Sequence, residues 1–304
     1  MTRFRTTRTF STGFLSDFAR CMLKKQTPTL WGMALLLLAL GAQSAQAQVP
    51  QLQFFKNYFL VGDYAVSGVG LRGQGDATGF ANGSIYFDGK PELGGNHGPR
   101  IPDNVEVVAA YLYWETIEKT NNPSSMNGKF DGEAIVAKTL GAGHAAPCWS
   151  GGGTTGSSQG APTLRVYRAD VLRYLPVAGG LRVVNDVQHT VSLADSGSNG
   201  GGVPLTEGAS LVVVYRYLFP DSLTKNLRSI VIVDGAATTS NTYPSYTQQI
   251  TGFYQASGTP GRMTHIVGDG QSNFTERLTV NGQLVSGVST TNPFQGAQGF
   301  SWDN

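Results

Sequence analysis

The run Gly208-Ala-Ser-Leu-Val-Val-Val-Tyr-Arg-Tyr217 constrains this chain more than any other stretch. It is a dense β-branched and aliphatic segment with little polar alternation, the pattern of a strand buried on both faces. Arg228-Ser-Ile-Val-Ile-Val-Asp-Gly235 is a shorter echo, and Val105-Glu-Val-Val-Ala-Ala-Tyr-Leu-Tyr-Trp114 has the same character. Residues of these types favour a pleated, packed surface. The three runs are expected to form the centre of an all-β domain. No long segment sustains a helical apolar period, and 40 glycines with many Thr, Val and Tyr residues add turns and strands.

The expected fold is an antiparallel β-sandwich, jelly-roll-like, in residues 48–304. Two organisations are open: one large sandwich, or two related halves at 61–217 and 228–304. The second rests on a short likeness between Phe130-Asp-Gly-Glu-Ala-Ile-Val-Ala-Lys138 and Leu278-Thr-Val-Asn-Gly-Gln-Leu-Val285. Both place an Asp-Gly or Asn-Gly pair inside apolar alternation, a hairpin signal. Asp88-Gly89 after Gly83–Phe87 is a third such signal. Further strands are expected over 48–69 (one or two), 181–193, 247–256 and 261–268, and one helical turn over 169–175.

The chain opens with basic residues, then the apolar core Leu30–Leu40, then Ala45-Gln-Ala47. That order is a secretory signal peptide, 1–47, with cleavage expected after Ala47. The apolar core is short for a bilayer span, so the mature chain is expected to carry no transmembrane helix. Met22 would also start a complete signal, which makes it an alternative translation start. Export to the periplasm, cell surface or medium follows as an expectation.

Removing the leader changes the charge argument. Residues 1–47 hold six Lys/Arg and one acid of the 22 basic and 20 acidic residues, leaving 16 and 19. The net moves from +2 to −3. No basic stripe remains, so a nucleic-acid partner is not expected. Cys148 is the single cysteine after the leader, either free or bridged to another chain or to a segment beyond Asn304. Trp302-Asp-Asn304 reads as the entry to one more strand, as if the sequence continued.

Several motifs match by pattern without their context. Gly68-Val-Gly-Leu-Arg-Gly73 fits G-x-G-x-x-G, but turn residues follow where the dinucleotide motif needs a helix N-terminus. Gly156-Ser-Ser158-Gln-Gly160 fits a nucleophile elbow, but no strand precedes it and Pro162 follows. His144 and Cys148 stand four apart with no second ligand pair.

An Ala110-Tyr-Leu-Tyr-Trp114 strand, an Asp-Gly hairpin, Tyr167-Arg-Ala-Asp-Val171, the 208–215 run, Ile230-Val-Ile-Val-Asp-Gly235 and Trp302-Asp-Asn304 occur in that order. This succession resembles an uncharacterised family of exported bacterial and archaeal cell-surface domains, over about Val61 to Asn304. The resemblance implies a β-sandwich on a surface or secreted protein and supplies no catalytic residues.

Calcium is the one cofactor the loops suggest, through Asp195 with Asn199, and Asp269 with Asn273 and Glu276, since Ca²⁺ takes oxygen ligands from such loops. The same residues are common turn formers. For a ligand, Trp149, Tyr243 and Tyr246, with Trp302, are the aromatics that could stack on a sugar. Carboxylate pairs for hydrolysis, Glu115 with Glu118 and Asp186 with Asp195, have no spacing logic behind them. The expected role is structural or adhesive, in contact with envelope or extracellular components. A carbohydrate-binding module with a polysaccharide partner is the alternative, and a secreted hydrolase the third.

Overall fold

A computed structural model describes residues 52–119, 125–143, 162–198, 202–221, 224, 226–238, 245–254, 258, 260–270, 276–285, 293–299 and 302–304. The signal segment and residues His144, Cys148, Trp149, Ser158, Asn199, Tyr243 and Asn273 lie outside them.

In chain order the strands begin with β1 (Gln53–Leu60), β2 (Gly62–Gly70), β3 (Phe80–Phe87), β4 (His97–Gly98) and β5 (Val105–Lys119). There follow β6 (Asn127–Phe130), β7 (Glu133–Val136), β8 (Lys138–Ala142) and β9 (Pro162–Asp170). Then come β10 (Val177–Ala178), β11 (Leu181–Arg182), β12 (His189–Ala194), β13 (Leu205–Tyr217) and β14 (Arg228–Asp234). The last are β15 (Val267–Gly268), β16 (Thr279–Val280), β17 (Gln283–Leu284) and β18 (Trp302–Asp303). Among the described residues the only helical turns are 3-10, at Pro91–Leu93 and Leu172–Tyr174. The chain is all-β.

Two five-stranded sheets carry the fold. One has the order β2-β13-β5-β9-β8, antiparallel throughout. The other runs β4-β3-β12-β6-β7, antiparallel except for the parallel β3/β4 pair. Their facing sides share one core: Val107, Leu112, Trp114, Tyr167, Leu211 and Val213 from the first, Ile85, Phe87, Phe130, Val191 and Leu193 from the second. This is a β-sandwich.

A third layer explains the unalternating run 208–217. On its other face β13 sends Val212 and Val214, and β5 sends Ala109, Tyr111 and Tyr113, into a separate apolar cluster. That cluster is closed by a two-stranded ribbon of β1 and β14 through Phe55, Tyr58, Leu60, Ile230 and Ile232. Both faces of β13 are therefore dry, and every second residue need not be polar. The Tyr111 and Tyr113 face belongs to this packing: Tyr58 and Tyr111 hydroxyls meet at 2.8 Å and Tyr113 donates to Asp234 at 3.0 Å.

Three expectations need correcting. The 228–234 run is not a neighbour of β5 and β13 but half of the covering ribbon. Asp88-Gly89 does not close a hairpin, because the strand that follows pairs with β3 in parallel. The described part of 247–256 forms no strand, and only Val267–Gly268 does so within 261–268. The compared Asp-Gly and Asn-Gly pairs do both form two-residue turns, with positive φ at Asp131, Gly132, Asn281 and Gly282. The first joins β6 to β7 inside a five-stranded sheet, whereas the second joins β16 to β17 alone.

Candidate functional site

The central sheet carries an unusual load where β5 and β13 meet the C-terminal segment. The register shifts between Thr206 and Gly208, opposite Thr116 and Glu115, so Glu207 is an extra residue in β13. Such a bulge re-aims the local side chains. Glu207 is 1% exposed, and its Oε2 has no hydrogen-bond partner. Glu115 lies half-buried beside it.

A carboxylate taken out of water favours its neutral form, and a like charge adds to the effect. Burial, then Glu207 and Asp269, push Glu115 up to about 8. Burial raises Glu207 to about 8 as well; the Arg72 guanidinium opposes the rise, and Asp269 and Asp195 add to it. Asp269 is held by Arg72 at 2.6 Å. Glu276, with one buried unpartnered oxygen, is also raised, by burial and then by Asp303 and Asp269.

The structure thus brings Asp195 and Asp269, from two separate loops, to the surroundings of one buried glutamate. Asp195 is 2% exposed and accepts the backbone N–H groups of Thr206 at 2.9 Å and Gly197 at 2.8 Å. Burial raises its carboxyl too. Among the described residues no three His, Cys, Asp or Glu side chains converge so as to hold a metal ion.

The C-terminal segment lies over this cluster. β15 pairs with β18, and Glu115 Oε1 sits 2.6 Å from where a Cβ on Gly268 would stand. Trp302, 2% exposed, packs on Gly208, and its indole N–H donates to Ser210 Oγ at 2.9 Å. Ser210 in turn donates to Asn304 Oδ1 at 3.0 Å. Asp303 accepts the N–H groups of Gln295, Gly296 and Ala297, which folds residues 293–299 back onto β18.

The other sequence candidates fall elsewhere. Tyr246 accepts the Leu52 N–H at 2.9 Å and donates to Gln248, which ties the 245–250 stretch to the start of β1. Glu118 is 1% exposed and is engaged by Tyr167, by Arg165 at 2.9 Å and by the Ser125 N–H at 3.1 Å. It makes no pair with Glu115. Asp186 is exposed and bound to Arg100, away from Asp195 in its contacts. An open cleft of about 760 Å³ is lined by Glu106, Asp170, Arg173 and Arg182 among others. Glu106 is held there by Arg216, and Arg182 donates to the Leu175 carbonyl at 2.7 Å.

Sequence reasoning missed Glu207 and Arg72. The bulge that carries Glu207 is a register mismatch between β13 and β5, which neither strand's sequence shows alone.

The fold and the cluster together define an all-β sandwich with a covering ribbon and an enclosed acidic cluster. Comparison with protein families, with curated proteins and with solved structures found no match.

Proposed function

We propose that this chain is a structural and adhesive module of an exported envelope or extracellular protein, with no catalytic step of its own. The observation that carries this reading is a group of exposed aromatic side chains on a rigid scaffold. Phe54 on β1 is 59% exposed, and Phe253 and Tyr254 are 51% and 78% exposed. Phe54 Cε2 lies 3.8 Å from the Cβ position of Gly252, which places the 252–254 stretch beside β1. Single exposed apolar residues are ordinary, but grouped aromatics on a covered sandwich suit contact with another surface. Tyr and Phe give large contact area at small entropy cost.

The same rings favour a polysaccharide as the partner, because an aromatic face stacks on the apolar face of a sugar ring. The test is a pelleting assay of the purified protein with envelope fragments and, separately, with purified insoluble polysaccharides. Retention on either, reduced about tenfold or more in a Phe54→Ala/Phe253→Ala/Tyr254→Ala variant with unchanged melting, is the expected result. Retention on polysaccharide alone selects the carbohydrate reading. Equal retention of both proteins removes the aromatic group from the function.

A further inference from the structure

The buried glutamates suggest a device beyond adhesion. Glu207 is fully enclosed with a carboxyl oxygen that meets no donor, and Glu115 lies directly under Gly268. The segment above them is fitted to the sheet through glycines. A Cβ on Gly68 would stand 2.1 Å from Asn304 Oδ1, and one on Gly208 2.4 Å from the Trp302 ring. It is tied to the sheet by Gly70 N–H donating to Gln298 O at 3.0 Å and by the Ser210 hydroxyl donating to Asn304 Oδ1 at 3.0 Å.

We propose that Glu115 and Glu207 form a proton-operated clasp for the segment carrying β15, residues 293–299 and β18. With both carboxyls neutral the segment docks on β2 and β13; with both charged it lifts away.

The charges that face the pair come from every element around it. From after β2 comes Arg72, from after β12 Asp195, and from after β15 Asp269, which Arg72 already holds. Asp303 of β18 and Glu276 add negative charge next to Asp269, and half-buried His265 precedes β15. Among the described residues one guanidinium, Arg72, stands among several acids, so charging Glu115 and Glu207 together leaves a net negative site in low dielectric, which costs free energy. Lifting β15 and β18 admits water and removes that cost, and local openings of this kind proceed below the global unfolding limit.

The test is hydrogen exchange with mass spectrometry on the intact chain in EDTA, from about pH 6 to about pH 9, corrected for intrinsic rates. Peptides covering 293–304 are expected to lose protection by about tenfold or more as pH rises, while those of β5 and β13 hold theirs. In the Glu115→Gln/Glu207→Gln variant, which keeps both groups neutral, 293–304 should stay protected at every pH. If wild-type protection does not change with pH, or if the variant opens as the wild type does, the proposal is overturned. Full protection of the wild type at about pH 9 once calcium replaces EDTA would also overturn it, and would assign the cluster to a cation. A melt of the variant at about pH 6 shows whether it is folded. If it is not, Glu207→Gln alone carries the comparison, with a reduced pH response expected and an unchanged one overturning the clasp.

Discussion

Gly208 lies against the indole of Trp302 with no room for a methyl group, since a Cβ would stand 2.4 Å from Trp302 Cδ2. The neighbour is a rigid ring, itself fixed by its hydrogen bond to Ser210, so it cannot yield as a flexible chain end would. Gly208→Ala is expected to destabilise the protein by about 1–3 kcal/mol, the usual cost of overpacking. Trp302→Ala removes the obstacle at its own large cost, so the two changes together should cost clearly less than their sum. Urea denaturation of the four proteins checks this, and strictly additive costs would place the penalty somewhere other than the Trp302 contact. Gly208 was visible as the start of an apolar run. Its partner was not, because 92 residues separate Ser210 from Trp302 and no local period links them.

The β1–β14 ribbon is held to the central sheet by more than its apolar face. Arg168 of β9 stacks its guanidinium 3.2 Å from the centre of the Phe55 ring and pairs with Asp234 of β14. The two charged side chains are only 10% and 12% exposed, and Tyr113 also donates to Asp234. Asp234→Asn leaves the guanidinium with half its compensation in a nearly dry place, an expected loss of about 3 kcal/mol. The loss should be local first: amide exchange in β1 and β14 should rise ahead of exchange in β5 and β13. Uniform change across all four strands would show that the ribbon does not open separately. At this scale much was legible. The runs at 105–114 and 208–217 are strands, and the Asp131-Gly132 and Asn281-Gly282 pairs are turns, because those signals lie within a few residues. Which sheet the 228–234 run would join was not legible, since a ribbon strand and a sheet strand bury similar faces. Glu207 was hidden for a related reason: a bulge is a mismatch between two strands and has no signature in either alone.

Across the whole molecule the buried acids set how stability depends on pH. Glu115 and Glu207, ordinary carboxyls at about 4.5, are raised to about 8 in the folded chain, and Asp195 and Glu276 are raised as well. The folded protein therefore holds protons that the unfolded chain has already released. Stability from Glu115 and Glu207 is full below about pH 4.5, falls as pH rises, and levels off above about 8. His265 pulls the other way, because burial lowers it from 6.5. Its contribution is full above about 6.5 and is lost as pH falls below that value. The two effects oppose each other from about 4.5 upward, and the opposing slope from His265 fades across 6.5 to 8, where the two glutamates dominate. Each can shed up to about 1.4 kcal/mol per pH unit there, less to the extent that the two titrate as a coupled pair. The urea midpoint should accordingly fall between pH 6.5 and pH 8, and the Glu115→Gln/Glu207→Gln variant should lose most of that slope. A midpoint that holds or rises across the window would mean that the native chain keeps both glutamates charged, and the acidic centre would then need a counter-ion rather than a proton.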